Sequence, residues 1–233
     1  MTSQVGVPAP VVLLHGWGGS YATTWRGSRI EEALRAAGRT VLEIDLPGHG
    51  QRPVSHDPAD YEFLADRLAE ELPARGVLDA IGFSLGGKLL LELATQQPGR
   101  LRRLAVGGVG ANIFRAEAGA EVAQALLHGP ASDAPQAIRS VVADALASGN
   151  DPAGLAAVIR RPPRPISRAA LAGIRSKVLL VVGADDRIAE DPEPLMRAVP
   201  AARTVVVAGL DHTATPSSTE FAALAVDFVL ADN

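Results

Sequence analysis

The residues best placed to do chemistry are Gly82-Phe-Ser-Leu-Gly86, with Gly87 next in the chain. A serine hydroxyl is a weak nucleophile until a neighbouring base takes its proton. Framed by glycines it can sit on a very tight strand-to-helix turn, where bulky side chains at Gly82 or Gly86 would collide with backbone. Such a turn holds the hydroxyl clear of the sheet, at the N-terminus of a helix whose dipole favours negative charge. A bare G-x-S-x-G is common; a strand before it and a helix after it give it weight. The second pattern is His15-Gly-Trp-Gly-Gly19. Glycine-rich backbone there can turn an N–H toward a developing oxyanion, joined by the N–H of Leu85 after the serine. Neither pattern reads as a phosphate loop. Gly16 to Gly19 lacks the G-x-G-x-x-G spacing, and Gly86-Gly-Lys88 is followed by Leu89 where Ser or Thr is needed.

These residues need a frame that brings them together. Val11–Leu14, Thr40–Ile44, Val77–Phe83, Leu101–Val106, Val178–Val182 and Arg203–Val207 read as strands. Ile30–Ala37, Pro58–Leu72, Leu85–Gln96 and Thr219–Leu230 read as helices, the first closed by Gly38. Alternation of this kind predicts an α/β fold, a mostly parallel sheet of about six strands with helices on both faces. Between Val109 and Lys177 no strand signal occurs. Ala116–Leu127, Pro135–Ala147 and Pro152–Arg160 are helical in pattern. A structureless loop of that length does not belong in a compact domain. The expected organisation is therefore a core of residues 1–110 and 174–233 with a helical cap or lid of residues 111–173.

Composition limits the rest. The 233 residues are 47% hydrophobic and 21% charged, with a formal net charge of -4, ordinary for a soluble globular chain. The densest basic patch, Arg160, Arg161 and Arg164, is diluted by prolines, so no nucleic-acid partner is expected. Apolar runs are strand-sized, so no membrane partner is expected either. The opening residues lack the pattern of a secretory signal, which reads as cytoplasmic. There is no cysteine, and His15, His49, His56 and His128 show no metal-ligand spacing. No cofactor and no metal is expected, and the oligomeric state is not legible.

Taken together, His15-Gly-Trp-Gly-Gly19, Asp45-Leu-Pro-Gly-His-Gly50 and Gly82-Phe-Ser-Leu-Gly-Gly87 resemble the α/β-hydrolase superfamily in order and spacing, from Val11 to about Leu230. The resemblance implies an acid after the penultimate strand and a histidine after the last. Val182-Gly-Ala-Asp-Asp-Arg187 and Gly209-Leu-Asp-His212 occupy those places. Matching Gly183 to the family's G-x-x-D pattern makes Asp186 the acid and leaves Asp185 to bond amides in the turn. The implied set is Ser84 as nucleophile, His212 as base, Asp186 as orienting acid, and the N–H groups of Trp17 and Leu85 as oxyanion hole. His15 and His49 then belong to structural turns. Lys88, one helical turn beyond Ser84, is read as a surface lysine, with a base as the alternative. Trp17, Trp25, Phe83 and Phe114 are candidates for an acyl pocket, with core packing equally open for Trp25 and Phe114.

Two departures from the family stand out. Ten residues precede Val11, too few for the usual N-terminal hairpin, although a remnant pairing near Gln4 to Val7 has room. The insertion is short for a lid, which predicts an open or shallow pocket. The implied function is hydrolysis of a small-molecule carboxylic ester with a small or medium apolar acyl group, through an acyl-enzyme. The alternatives are a thioesterase, a lactonase or a carbon–carbon bond hydrolase with the same residues, or a non-catalytic ligand-binding protein on the same fold.

Overall fold

The structure, a computed structural model, describes residues 8–115 and 119–231. The chain begins with β1 (Val11–Leu14), α1 (Tyr21–Thr24), α2 (Arg29–Ala36) and β2 (Val41–Glu43). It continues with α3 (Leu64–Glu71), β3 (Leu78–Phe83), α4 (Leu85–Gln96) and β4 (Leu101–Gly107). The inserted segment carries α5 (Gly119–His128), α6 (Gln136–Ala147), α7 (Pro152–Ile159) and α8 (Arg168–Ala172). β5 (Lys177–Gly183), α9 (Glu193–Ala198), β6 (Ala202–Val207) and α10 (Thr219–Leu230) complete the described chain.

The six strands form one sheet in the order β2-β1-β3-β4-β5-β6, every pair parallel. The four inner strands β1, β3, β4 and β5 are buried on both faces, which is why Val178–Val182 is a continuous apolar run rather than an alternating one. On one face α3, α4, α8 and α9 pack against Leu14, Leu104 and Leu180. On the other, α2 and α10 pack against Leu13, Ile81 and Leu179. The chain leaves β1 toward β2 on one side and β3 toward β4 on the other. That reversal opens a crevice between the C-terminal ends of β1 and β3, where α/β sheets bind ligands. Register levels those ends: Leu14 pairs with Gly82, Phe83 with Gly107, and Gly183 with Val207.

Each sequence-predicted strand is present to within two residues at either end. The predicted helix Pro58–Leu72 is instead a 3₁₀ turn at Pro58–Tyr61 followed by α3. The Tyr61 hydroxyl accepts from the Ser55 N–H and donates to the Ser55 carbonyl, which pins the turn and breaks the helix. The helices α1, α8 and α9 are too short to carry a periodic signal and were not expected. The remnant pairing near Gln4 to Val7 lies outside the described residues, as do the first residues of the helix expected from Ala116. In the inserted segment Val122, Leu126, Val142 and Leu155 form a small core of their own.

Candidate active site

β3 passes into α4 with Ser84 alone between them. Ser84 has φ 49° and ψ −117°, a backbone region an L-residue occupies only at a cost of about 1–3 kcal/mol. The surroundings enforce it. The Ser84 N–H donates to the Gly107 carbonyl at 2.8 Å, and the Lys88 N–H to the Ser84 carbonyl at 2.9 Å. A Cβ on Gly82 would lie 2.9 Å from the Gly87 Cα, and one on Gly86 2.5 Å from the His15 carbonyl oxygen. Both glycines are therefore steric necessities of the turn.

His212 and Asp186 reach this serine from beyond the ends of β6 and β5, across the end of β4. The Ser84 Oγ lies 3.0 Å from His212 Nε2, and His212 Nδ1 lies 2.8 Å from Asp186 Oδ2 and 3.0 Å from Oδ1. With a carboxylate at Nδ1, the pattern assigns the proton to Nδ1 and leaves Nε2 to accept from the serine. The Phe83 ring stacks at 4.9 Å on the imidazole, and Gly108 leaves room for both rings. Asp186 is buried and also accepts from the Ile188 and Ala189 N–H groups, at 3.0 and 2.8 Å. The amide-binding role expected of Asp185 thus falls to Asp186. The Asp185 side chain is exposed and has no hydrogen bond to the described residues.

The Gly16–Gly19 segment faces Ser84 from the end of β1. The His15 Nδ1–H donates to the Gly16 carbonyl, and His15 Nε2 accepts from the Leu46 N–H. The His49 Nδ1–H donates to the Pro47 carbonyl, and His49 Nε2 accepts from the Gly18 N–H at 3.1 Å. Both rings are neutral, because burial lowers His15 to about 4 and His49 to about 3. The Gly18 and Gly19 N–H groups are spent on His49 and on the Gly16 carbonyl. The N–H groups of Trp17 and Leu85 have no hydrogen-bond partner among the described residues. Unpaired amides are rare in protein interiors, and these two belong to the loop and the helix end that frame Ser84.

Above these residues lies a cleft of about 870 Å³. Phe83, Val122, Ile138, Val141, Ile159 and Ile188 give it an apolar wall supplied in large part by α5, α6 and α7. Trp17 and Phe83 line the cleft; Trp25 is fully buried on the far face of the sheet, and Phe114 packs under the Arg168 guanidinium. Lys88 is not the surface residue expected. It is half-buried, donates to the Asn112 carbonyl and lines the cleft. Sequence reasoning also missed Asp144, on α6 at the cleft, whose carboxyl is raised by burial and by nearby Asp211. Among the described residues no group of three or more His, Asp or Glu side chains is disposed to hold a metal ion.

The chain matches the family model of the alpha/beta hydrolase family over residues 11–224. It is 32% identical to a pimeloyl-(acyl-carrier protein) methyl ester esterase of Neisseria meningitidis serogroup C, over 94% of this chain and 93% of that protein. The chain belongs to the alpha/beta hydrolase family. Solved structures agree on the fold. An enol-lactonase from Burkholderia xenovorans superposes with a TM-score of 0.77 at 22% identity, covering 98% of this chain and 94% of the other. An esterase from Thermogutta terrifontis does so with a TM-score of 0.71 at 23% identity, covering 95% and 89%. Among the described residues of this hydrolase no helix is long and apolar enough to cross a membrane.

Proposed function

We propose that the protein is a carboxylic-ester hydrolase working through an acyl-enzyme on Ser84, with residues 111–173 as a cap over the acyl pocket. The observation that carries this reading is the chain Ser84 Oγ, His212 Nε2, His212 Nδ1, Asp186, with contacts of 3.0 and 2.8 Å, opening on the cleft. The name of the Neisseria relative specifies ester hydrolysis, and the ester bond is what this reading carries over. The apolar wall suits a small or medium acyl chain.

The steps follow from the groups present. His212 Nε2 takes the Ser84 proton as Oγ attacks the ester carbonyl carbon. The charge that forms on the carbonyl oxygen is met by the Trp17 and Leu85 N–H groups. Asp186 holds the imidazole in the tautomer that can accept, and stabilises the imidazolium. Collapse breaks the carbon–alkoxy bond, and His212 gives its proton to the departing alkoxide. Water, deprotonated by His212, then attacks the acyl-enzyme, and the carboxylic acid leaves as the proton returns to Ser84.

A panel of p-nitrophenyl esters, with matched thioesters and lactones, tests the reading. Turnover of short and medium esters that Ser84→Ala abolishes is the expected result. A preference of tenfold or more for thioesters or lactones would replace the ester assignment. Equal turnover by wild type and Ser84→Ala would overturn the mechanism.

A further inference from the structure

The segment that would polarise the substrate carbonyl is held from two sides, by His15 and His49 of the core and by the inserted segment. The Trp17 indole N–H donates to the Leu155 carbonyl of α7 at 2.9 Å. Gly18, at φ +83°, packs so closely on α6 that a Cβ there would lie 2.8 Å from the Ala145 Cβ. Between α6 and α7 stands Asn150. Its Nδ2 amino group shares two hydrogens among three acceptors, the Gly18 and Gly19 carbonyls and Ser148 Oγ, each at 2.9 Å. Its Oδ1 accepts from the Gly50 N–H at 2.7 Å. One carboxamide thus ties the inserted segment to two separate loops of the core.

The consequence runs through peptide planarity. The Trp17 N–H shares a rigid plane with the Gly16 carbonyl, and in a trans peptide the two point in opposite directions. The Gly16 carbonyl is held by the His15 Nδ1–H at 2.8 Å and the Gly19 N–H at 3.2 Å. The Gly19 N–H shares its peptide with the Gly18 carbonyl, which accepts from Asn150. Where the Trp17 N–H points is therefore set at the far end of its own peptide by two contacts, one from His15 in the core and one through Gly19 that ends on Asn150.

Resting on the esterase reading above, we propose that Asn150 is a positioning residue of the oxyanion hole. It aims the Trp17 N–H through Gly19 and Gly16, and it makes the insertion a brace for that amide rather than a free-swinging lid. Asn150 touches no substrate in this account; it acts on the transition state alone, so its loss lowers kcat and leaves KM nearly unchanged.

Asn150→Asp is the informative variant. It retains the acceptor for the Gly50 N–H but sets a carboxylate oxygen against the Gly18 and Gly19 carbonyls, where a donor stood. The readouts are kcat and KM on a short p-nitrophenyl ester, and the inhibition constant of an alkyl trifluoromethyl ketone, whose adduct with Ser84 carries the oxyanion. The expected result is a kcat lower by about 10- to 100-fold, part of what deleting an oxyanion donor costs. KM should stay within about threefold, and the ketone should weaken by the same factor as kcat. Should that variant not fold, as judged by circular dichroism, Asn150→Ser carries the same test with about a tenfold loss expected. Wild-type kcat in the folded variant, or a raised KM with kcat and ketone affinity unchanged, would overturn the proposal. Ser84→Ala run beside them separates the two failures. If it remains active the esterase reading is wrong; if it is dead while the Asn150 variants match wild type, only the brace is wrong.

Discussion

Two buried aspartates sit at opposite ends of the sheet, and their partners differ in kind. Asp79, near the start of β3 and fully buried, is held by the Arg39 guanidinium at 2.5 Å, by Arg102 through two bonds at 2.6 and 3.0 Å, and by the Arg103 N–H. Asp186, beyond the end of β5, is held by one imidazole and two backbone amides. Guanidinium groups stay protonated throughout the working range of pH. Asp79 is thus locked into an ion cluster that also draws on the carbonyls of Ala9 and Val229, tying the chain ends to the sheet. Asp186 faces a partner that can gain and lose a proton. The same side chain is a clasp at one end of the sheet and, in the proposed mechanism, a catalytic support at the other, and the kind of partner makes the difference.

The same substitution at both positions sharpens that contrast. Asp186→Asn is expected to lose about 10³- to 10⁴-fold in kcat with little change in melting temperature, because the amide enforces the wrong imidazole tautomer. Asp79→Asn is expected to do the reverse. It leaves two guanidinium groups short of countercharge, and urea denaturation should show a loss on the order of 3 kcal/mol, with kcat per folded molecule unchanged. The contrast breaks if Asp79→Asn reduces kcat tenfold or more in folded protein, or if Asp186→Asn unfolds the chain.

The signs of the buried histidines set a pH dependence of stability. His15 and His49 fall from an ordinary 6.5 to about 4 and about 3 when folded. Below 6.5 the unfolded chain takes up protons that the folded chain refuses, so stability is full above 6.5 and declines as pH falls toward the folded values. The slope is up to about 1.4 kcal/mol per pH unit for each imidazole. Urea midpoints at pH 7, 5.5 and 4.5 should fall in that order. His49→Gln, whose side-chain oxygen can still accept from Gly18, should show a shallower decline; an unchanged decline would remove His49 from the account. The smallest effect belongs to Asp185→Asn, expected to cost less than about tenfold in kcat, since that side chain is exposed and outside the hydrogen-bonded chain. A larger loss there would move the acid by one residue.

How much of this was legible depended on the range over which each residue acts. Gly82, Ser84 and Gly86 announce their turn because the steric demand lies within five consecutive residues. The strands β1 and β5 announce themselves because burial on both faces leaves unbroken apolar runs. Asp186 was separable from Asp185 only by matching Gly183 to a family pattern; the physical reason, the Ile188 and Ala189 amides closing on one carboxylate, exists only in three dimensions. Asn150 gave no signal of its link to the core, since its partners there, Gly50, Gly19 and Gly18, lie 100, 131 and 132 positions away. Asp79 did leave a trace, an ionisable residue inside an otherwise apolar strand, but nothing nearby in the chain named Arg39 or Arg102 as its partners. Lys88 gave no sign of the cleft, since the Asn112 carbonyl it meets there lies 24 positions away.

The central claim is that Ser84 is the nucleophile of this site, and covalent labelling tests it most directly. Wild-type protein treated with a fluorophosphonate and weighed intact should gain the mass of one phosphonyl group, mapped by peptide sequencing to Ser84. Ser84→Ala, folded by circular dichroism, should gain none. Labelling at another serine, or equal labelling of the Ala variant, would contradict the account.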